Sequence, residues 1–325
     1  MKAFKKENYG VTKDGHQVTQ YTLTNDKGMY VSVIDYGCRI REICVPDRDG
    51  QLVNVSLCFT GLEKYEGGGC YGALIGRFAN RIKNAKFKID GVEYELPHND
   101  HHNYIHGSFE HTMFDAEASD DKIVFRYTSP DGEFGFPGTV ELTATYVFTE
   151  DGALELTYEA TTDAPTVINI TNHNYFNLNG LPENGAAVKP SDNNVFNHLL
   201  TIPAEIYLES DDVFMVTGKE IPVSADYHDH RTEKVLSTEL YDQNYCLGRA
   251  GEMKLAATLK SPATGIVMET LTTQPGIQVY TGAKKAIALE TQHYPDGPNH
   301  PEWPSTLLRP GEVYKEKTIY RFGTC

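Results

Sequence analysis

The chain consists largely of short stretches in which apolar and polar residues alternate, separated by turn residues. Alternation with a period of two is typical of strands that bury one face. Two such stretches flank Asp90-Gly91, and two longer ones flank Asp151-Gly152. Asp-Gly between alternating stretches predicts a tight hairpin, because these residues tolerate the positive φ angles of such turns. We therefore expect antiparallel neighbours.

Further stretches rich in β-branched and aromatic residues predict additional strands. They are residues 31–34, 123–127, 166–170, 266–271, 276–280 and 286–289. Helix is scarce, and only residues 61–65 and 230–240 suggest short helices. Many short strands separated by turns are typical of stacked antiparallel sheets. The predicted fold class is therefore all-β, a large antiparallel β-sandwich with few short helices.

Length bounds the domain organisation. A chain of 325 residues can form one large all-β unit or two average domains. Residues 181–190 are predicted to form a surface loop rather than a domain boundary, because strand patterns resume on both sides. We therefore expect a single domain over residues 1–325.

Net charge and hydropathy argue against some classes of binding partner. The 29 basic and 45 acidic residues give a net charge of -16, which repels phosphate backbones and anionic membranes. There is no run of about 18 apolar residues and no apolar segment near the N-terminus. We expect a cytoplasmic protein that binds neither nucleic acid nor membrane. The six scattered cysteines lack CxxC spacing, which favours free thiols over disulfides or a zinc site.

Two motifs resemble known ligand-binding or metal-binding patterns, but the neighbouring sequence does not favour either kind of site. Gly67, Gly69 and Gly72 fit G-x-G-x-x-G, but no predicted strand precedes them and no amphipathic helix follows. His102 and His106 have the i, i+4 spacing of metal ligands on a helix, yet residues 97–107 contain loop-forming residues. We expect a flexible glycine loop and no bound metal.

Prolines recur every third residue after Glu290, at Pro295, Pro298, Pro301 and Pro304. Such spacing is found in polyproline ligands of partner domains. The interleaved polar and aromatic residues favour instead an extended loop packed on its own protein. Because proline restricts φ, we expect a rigid extended wall that limits where Glu290, at the end of an apolar run, can point.

Polar side chains concentrate beside apolar strands in three stretches, residues 76–82, 171–178 and 290–293. Buried polar groups are costly unless they pair with each other or with a ligand, so these stretches predict a binding site. The 20 tyrosines suit a sugar pocket, since their rings can stack on C–H faces, but tyrosine-rich sheets are also ordinary.

Six motifs, in order and at matching spacing over essentially the whole chain, resemble the aldose 1-epimerases, also called galactose mutarotases. They are GRFANRI at 76–82, NYIHG at 103–107, TNHNYFNL at 171–178, YDQNY at 241–245, GIQVYTG at 276–282 and ETQHYPDGPNHPEWPSTLLRPGEVY at 290–314. The resemblance implies a galactose-mutarotase-like supersandwich. It also implies interconversion of α and β anomers of a free aldose, such as galactose or glucose, without a cofactor.

The resemblance also implies the site residues. Glu290 matches the family's base and His173 its acid, and His106 is the third catalytic candidate. The residues expected to bind or line the sugar are Asn80, Arg81, Asp242, Gln278 and Tyr175. Each has an ordinary alternative: a surface carboxylate, a hydrogen-bonded core histidine, a loop-bridging arginine, a turn or strand hydrogen-bonder or a buried strand tyrosine.

The chemistry fits these residue types. Opening a pyranose requires a proton to leave the C1 hydroxyl while another reaches the ring oxygen. A carboxylate with a pKa near 4.3 can accept the first, and an imidazole with a pKa near 6.5 can donate the second. Glu290 and Asp242 would favour the imidazolium of His173, whereas Arg81 would oppose it.

Two segments depart from the family pattern. After His106 the family has two glycines and a Gly-Phe-Asp-Lys segment, where this chain has one glycine followed by SFEHTMF. Only seven residues separate Gly282 from Glu290, where many relatives have a longer loop. We expect a differently shaped rim, a more open site and a changed sugar preference.

Other functions remain open at this point. A sugar-binding protein or sensor could keep the pocket without turnover, and a glycoside hydrolase could use Glu290 with Asp242 as its carboxylate pair. A phosphorylated-sugar epimerase would need more arginines at the site. As assembly state we expect a monomer or weak homodimer.

Overall fold

A nine-stranded antiparallel sheet is the largest layer of the structure, a computed structural model that describes residues 3–181 and 195–325. Its strands in spatial order are β11 (Asp115–Ala118), β12 (Lys122–Ser129), β13 (Val140–Phe148), β14 (Ala153–Thr162), β28 (Tyr314–Thr324), β24 (Ile266–Thr272), β23 (Lys254–Lys260), β18 (Leu199–Thr201) and β21 (Lys234–Val235). Buried and more exposed residues alternate along β13 and β28, as a sheet with one face on a core requires.

A second, six-stranded sheet has the order β17 (Tyr175–Phe176), β26 (Ile287–Gln292), β25 (Gly276–Tyr280), β22 (Asp242–Cys246), β19 (Ile206–Ser210) and β20 (Val216–Pro222). All six residues of β26 are buried, so both faces of this strand are covered. Glu290 lies inside β26 and not at a strand end as the sequence suggested, because the strand continues through three polar residues after the apolar run.

A third sheet contains β1 (Ala3–Val11), β2 (Gln17–Thr24), β3 (Tyr30–Ile34), β4 (Arg39–Pro46) and β5 (Leu52–Asn54) in chain order. Four two-stranded ladders complete the described strands. They pair β6 (Leu74–Ile75) with β16 (Thr171–Asn172), β7 (Arg81–Ile82) with β10 (Tyr104–Ile105), β8 (Lys86–Ile89) with β9 (Val92–Glu95), and β15 (Thr166–Val167) with β27 (Leu307–Leu308).

One apolar core joins the three large sheets. It includes Val33 from β3, Leu156 from β14, and Val279 and Leu289 from the six-stranded sheet, each fully buried. The ladders between these strands are antiparallel, and the chain forms the all-β sandwich that the sequence predicted.

Both Asp-Gly hairpins are confirmed. Asp90 and Gly91 have φ angles of 51° and 84°, and β8 pairs with β9 across them. The second hairpin joins β13 to β14, but only Gly152 of its pair has a positive φ, 86°. Its loop is therefore longer than a two-residue turn.

The helix predictions had mixed outcomes. The expected helix near residues 61–65 is confirmed as α1 (Glu63–Glu66). Residues 230–240 are not helical: Lys234–Val235 pairs with β18 as strand β21, and Leu236 N–H donates to the His198 carbonyl. The other helical pieces within the described residues are 3₁₀ turns at Lys83–Ala85, Phe109–His111, Glu133–Gly135, Val195–Asn197, Val223–Ala225 and Gly297–Asn299.

Within residues 3–181 and 195–325, no helix has the length and apolar character needed to cross a membrane. The expected surface loop at 181–190 lies outside the described residues, apart from Leu181. The glycine motif at 67–72 follows α1 and forms a loop, and no helix follows it in the described stretch up to residue 81.

The proline-rich segment packs on its own protein, as expected, with Trp303 only 8% exposed and its ring 5.6 Å from that of Tyr294. It is not an extended wall beside Glu290, because Gly297–Asn299 forms a 3₁₀ turn. Its Asp296 N–H instead donates to the Arg81 carbonyl at 2.8 Å.

Substitution of the core residue Leu156 tests whether the sheets pack as described. Leu156→Ala should lower the free energy of unfolding by about 2–5 kcal/mol, because it removes a fully buried side chain between sheets. Val92→Ala, at a position 55% exposed on β9, is the matched control and should change it by about 0.5 kcal/mol or less. Urea unfolding followed by circular dichroism measures both, and equal effects would contradict this packing.

Candidate active site

A cavity of about 310 Å³ opens on the face of the six-stranded sheet that carries Glu290, and we call it the Glu290 cavity. This volume lies at the lower end of the range for small-molecule pockets, about 300–1,000 Å³. All eight site residues predicted from the sequence line it: Asn80, Arg81, His106, His173, Tyr175, Asp242, Gln278 and Glu290.

Three adjacent strands form the floor. Gln278 on β25 lies opposite Glu290 on β26, and Tyr280, two residues further along β25, lies opposite Asp242 on β22. Because side chains alternate along a strand, Gln278 and Tyr280 share one face. The Gln278 side-chain amide donates to Asp242 at 2.7 Å, which fixes both groups.

His173 follows the short strand β16, which pairs with β6. Its backbone N–H donates to the Ala73 carbonyl at 2.8 Å, and its carbonyl accepts from the Gly72 N–H at 3.0 Å. The ring lies 4.8 Å from the ring of Tyr175, centroid to centroid, at 33°. The imidazole is thus held by backbone and by packing, and it is 5% exposed.

His106 and Asn80 lie at the ends of the facing strands β10 and β7, with φ angles of 66° and 67°. Asparagine and histidine are among the residues that tolerate this conformation best. The Asn80 N–H donates to His106 Nδ1 at 3.2 Å, so Nε2 carries the proton in the neutral ring. This bond fixes both the orientation and the tautomer of His106.

Arg81, which lines the cavity, joins two carboxylates, those of Asp100 and Asp242. Its Nε donates to Asp100 at 2.6 Å, and Nη1 lies 3.8 Å from Asp242. Asp100 was not among the predicted site residues. Its carboxylate holds the Arg81 side chain, which is only 11% exposed, in one position.

Glu290 and His173 meet in the same cavity, with Oε1 and Nε2 3.4 Å apart. The second oxygen, Glu290 Oε2, and the second nitrogen, His173 Nδ1, are buried and have no hydrogen-bond partner among the described residues. Buried polar atoms normally have a partner, so these two atoms indicate a place where a polar ligand can bind.

Burial is the largest cause of the pKa shifts of Glu290 and His173. It raises the pKa of Glu290 well above its usual value, helped by the charge of Asp242 and opposed by Arg81. Burial and, after it, the charge of His106 lower the pKa of His173 to about 3, while Glu110 opposes the change. The upward shift expected for His173 from the sequence is thus reversed, because desolvation outweighs the nearby negative charges.

Donor atoms of Cys70, His106 and His173 lie within 4.8 Å of one another, the one such cluster in the described part of the chain. Thiol and imidazole groups suit zinc-like cations. For His106 to bind one, however, it would have to give up the hydrogen bond from Asn80 or change its tautomer. We therefore assign no metal to this cluster.

The sequence missed seven other lining residues: Gly69, Cys70, Ile105, Phe214, Leu240, Tyr280 and Gly282. Tyr280 could have been found, because alternation along a strand places it on the same face as Gln278. Phe214 and Leu240 come from connecting segments, where no periodicity indicates which way a side chain points.

Comparison with protein families matches residues 19–321 to the family described as Aldose 1-epimerase. The chain belongs to the aldose 1-epimerase family. The resemblance seen in the sequence is thereby confirmed, together with the expected class of enzyme, an isomerase acting on carbohydrates.

Relatives match over nearly the full chain. Galactose mutarotase of Mus musculus is 35% identical over 336 residues, which cover 95% of each chain. Aldose 1-epimerase of Escherichia coli (strain K12) is 32% identical and covers 97% of this chain and 98% of that protein.

Solved structures share the fold. An aldose epimerase homologue from C. elegans superposes with a TM-score of 0.86 at 25% identity, covering 93% of this chain and 98% of that one. A galactose 1-epimerase from Lactobacillus acidophilus NCFM gives a TM-score of 0.84 at 24% identity and covers 100% and 99% of the two chains.

The two cavity histidines should stay neutral through the physiological range. Burial lowers the pKa of His106 to about 4 and that of His173 to about 3, against about 6.5 in unfolded chains. The unfolded state therefore binds more protons below pH 6.5. Their contribution to stability should be present above pH 6.5 and be lost as the pH falls toward 4 and 3.

Histidine ring NMR measures this, with His106→Gln and His173→Gln to assign the signals. Neither assigned signal should shift between pH 8 and about pH 5, whereas the histidines of the urea-unfolded chain should titrate near 6.5. A midpoint near 6.5 for either ring would contradict the burial described here.

Proposed function

We propose that this member of the aldose 1-epimerase family interconverts the α and β anomers of free aldoses such as galactose and glucose, with Glu290 as base and His173 as acid. The proposal rests on the geometry of the Glu290–His173 pair. Its two reactive atoms are 3.4 Å apart on the wall of a cavity of about 310 Å³, each beside a buried polar atom without a protein partner.

In the first step the Glu290 carboxylate takes the proton of the C1 hydroxyl, and the His173 imidazolium gives its proton to the ring oxygen. The C1–O5 bond breaks, and the products are an open-chain aldehyde, a protonated Glu290 and a neutral His173. Rotation about C1–C2 then presents the other aldehyde face. Ring closure returns both protons, so the pair ends as it began.

The protonation states agree with this cycle. Glu290 and His173 share one proton, and such a pair titrates as a unit. Burial favours the proton on Glu290, which is the arrangement present with the open-chain aldehyde. Before ring opening the proton must lie on His173. A bound aldose supports that arrangement, because its hydroxyls donate to the carboxylate and its ring oxygen accepts from the imidazolium.

The other residues hold the sugar. Asp242, held by Gln278 and close to Arg81, can accept from sugar hydroxyls, while Arg81 and the Nε2–H of His106 can donate to them. Asn80 contributes by fixing His106, and Tyr175 supplies an aromatic wall beside His173. Such positioning restricts the aldose to orientations in which C1 faces the catalytic pair.

Polarimetry of freshly dissolved α-galactose tests the proposal. The protein should speed the approach to equilibrium rotation, and Glu290→Gln or His173→Gln should each reduce kcat by about 10²–10⁴, the usual contribution of a general acid or base. Glu252→Gln, on an exposed loop before β23, is the control and should retain the wild-type rate.

Calorimetric titration with galactose completes this test. Glu290→Gln should still bind the sugar, because Arg81, Asp242 and His106 remain. If the wild-type protein binds galactose without speeding mutarotation, it is a sugar-binding protein or sensor instead. If both substitutions leave kcat within threefold of wild type, the acid and base are other residues.

We propose further that residues 1–325 form a single domain, since the cavity draws on residues from 69 to 290 and one core includes residues from 21 to 322. The six cysteines, all among the described residues, form no disulfide, which agrees with a cytoplasmic location. Exposed large apolar residues lie on many separate elements, which agrees with a monomer or weak homodimer.

A further inference from the structure

Glu110 is a largely buried carboxylate that the proposed chemistry does not use. It lies in the 3₁₀ turn Phe109–His111, its side chain is 14% exposed, and it is not one of the described residues that line the Glu290 cavity. Its Oε1 lies 3.4 Å from His111 Nε2, whereas Oε2 is buried and has no hydrogen-bond partner among the described residues. A buried carboxylate oxygen without a partner is unusual, so the position of this group needs an explanation.

Arg39 holds Glu110 close to a segment that lines the cavity. Arg39 lies on β4 and is fully buried. Its Nη1 donates to the carbonyls of Gly69 and Tyr71 at 3.3 and 2.9 Å, and these two carbonyls flank Cys70. Its Nη2 donates to the Glu110 carbonyl at 2.8 Å. The same guanidinium therefore holds both the segment that carries Cys70 and the turn that carries Glu110.

Cys70 is also close to the two histidines of the site. Donor atoms of Cys70, His106 and His173 lie within 4.8 Å of one another, and the two imidazole rings are 5.4 Å apart, centroid to centroid. The Gly72 N–H donates to the His173 carbonyl at 3.0 Å, so the segment held by Arg39 is bonded to His173 as well. Cys70 thus connects the histidines with the carboxylate of Glu110.

Glu110 stays ionised in this position. Burial opposes its ionisation, but contacts with His111 and Cys70 and the charge of Arg39 outweigh burial and lower the pKa of Glu110 to about 2. The carboxylate is therefore a fixed negative charge near the histidines at neutral pH.

This charge acts on one member of the catalytic pair. Burial lowers the pKa of His173, and Glu110 is the largest of the influences that raise it. The pKa of Glu290 is raised by burial and then by Asp242, and Arg81 opposes these two. Glu110 therefore favours a proton on His173 without a matching effect on Glu290.

The other titratable and charged groups around His173 do not supply such a charge. They are Glu290, Tyr280, Tyr175, His106, Cys70 and Arg39. Burial raises the pKa values of both tyrosines and of the thiol, so these three groups are neutral. The charges of His106 and Arg39 disfavour the imidazolium, and Glu290 is itself the proton acceptor of the pair.

We propose that Glu110 is a positioning residue for the proposed reaction, whose ionised carboxylate stabilises the imidazolium form of His173 that donates its proton to the ring oxygen. The inference rests on the proposed function. Without this charge the neutral arrangement of Glu290 and His173 is favoured further, so fewer complexes hold the proton on His173 before ring opening. Because Glu110 does not line the cavity, it acts on the sugar only through His173.

Glu110→Gln tests this role, because it removes the charge, nearly keeps the side-chain volume and leaves the backbone carbonyl that holds Arg39. In polarimetry with galactose, kcat should fall about tenfold, which corresponds to one pKa unit. KM should stay within about twofold of wild type, because binding of the sugar is unchanged.

Two further variants separate the charge from other effects. Glu110→Asp keeps a carboxylate next to Cys70 and should return kcat to within about threefold of wild type. Glu117→Gln removes a charge from a glutamate on β11 that is 77% exposed, and it should leave kcat unchanged. Circular dichroism checks that each variant is folded.

Histidine ring NMR measures the effect of the charge without any sugar. Burial lowers the pKa of His106 to about 4, and Glu110 is the largest of the influences that raise it. In Glu110→Gln the titration midpoints of His106 and His173 should therefore lie at lower pH than in wild type. Glu117→Gln should leave both midpoints in place.

The inference is overturned if Glu110→Gln keeps the wild-type kcat. It is equally overturned if kcat falls while both histidine midpoints stay in place, since Glu110 then has a structural role only. Wild-type protein that does not speed mutarotation would overturn the proposed function whatever the NMR midpoints show, so the two failures are distinguishable.

Discussion

Burial of the Glu290 carboxyl group in the middle of β26 is the constraint on which the rest of the site depends. A buried carboxyl group is costly unless neighbouring groups compensate for the lost water. Here Gln278 binds the adjacent Asp242, and Arg81 offsets the charge of Asp242, so the floor contains one tightly organised set of polar groups. His173 approaches from another ladder, and its proton can neutralise Glu290. The sheet register thus determines where the reaction can take place.

The two histidines depend on backbone rather than on long side chains. His173 is held by the paired segments around Ala73, and His106 by Asn80 on the facing segment. Both arrangements are short antiparallel ladders attached to the large sheets. Such ladders leave little freedom to the residues that follow them, which suits a site that must keep acid and base within one hemiacetal's reach.

Much of the fold could be predicted from the sequence, because period-two alternation and Asp-Gly turns are local properties. The hairpin around Asp90 and the strands β12 and β24 follow from them directly. The eight lining residues came from family resemblance, since no local pattern relates residue 80 to residue 290. Two features could not be found this way. The downward pKa shift of His173 comes from burial by distant segments, and within residues 230–240 Lys234–Val235 forms a short edge strand because β18 is available to pair with it.

The direction of the pKa shifts has a consequence for catalysis. In the proposed cycle the buried pair is a carboxylate and an imidazolium before ring opening, and both groups are neutral after it. Burial disfavours the charged arrangement and favours the neutral one. In that cycle the protein surroundings therefore favour the open-chain intermediate over the closed sugar bound to the charged pair. Cations close to Glu290 would stabilise its carboxylate form, and with it the complex with the closed sugar instead. Arg81 pairs with Asp242 and Asp100 and not with Glu290, so the neutral form of Glu290 stays favoured.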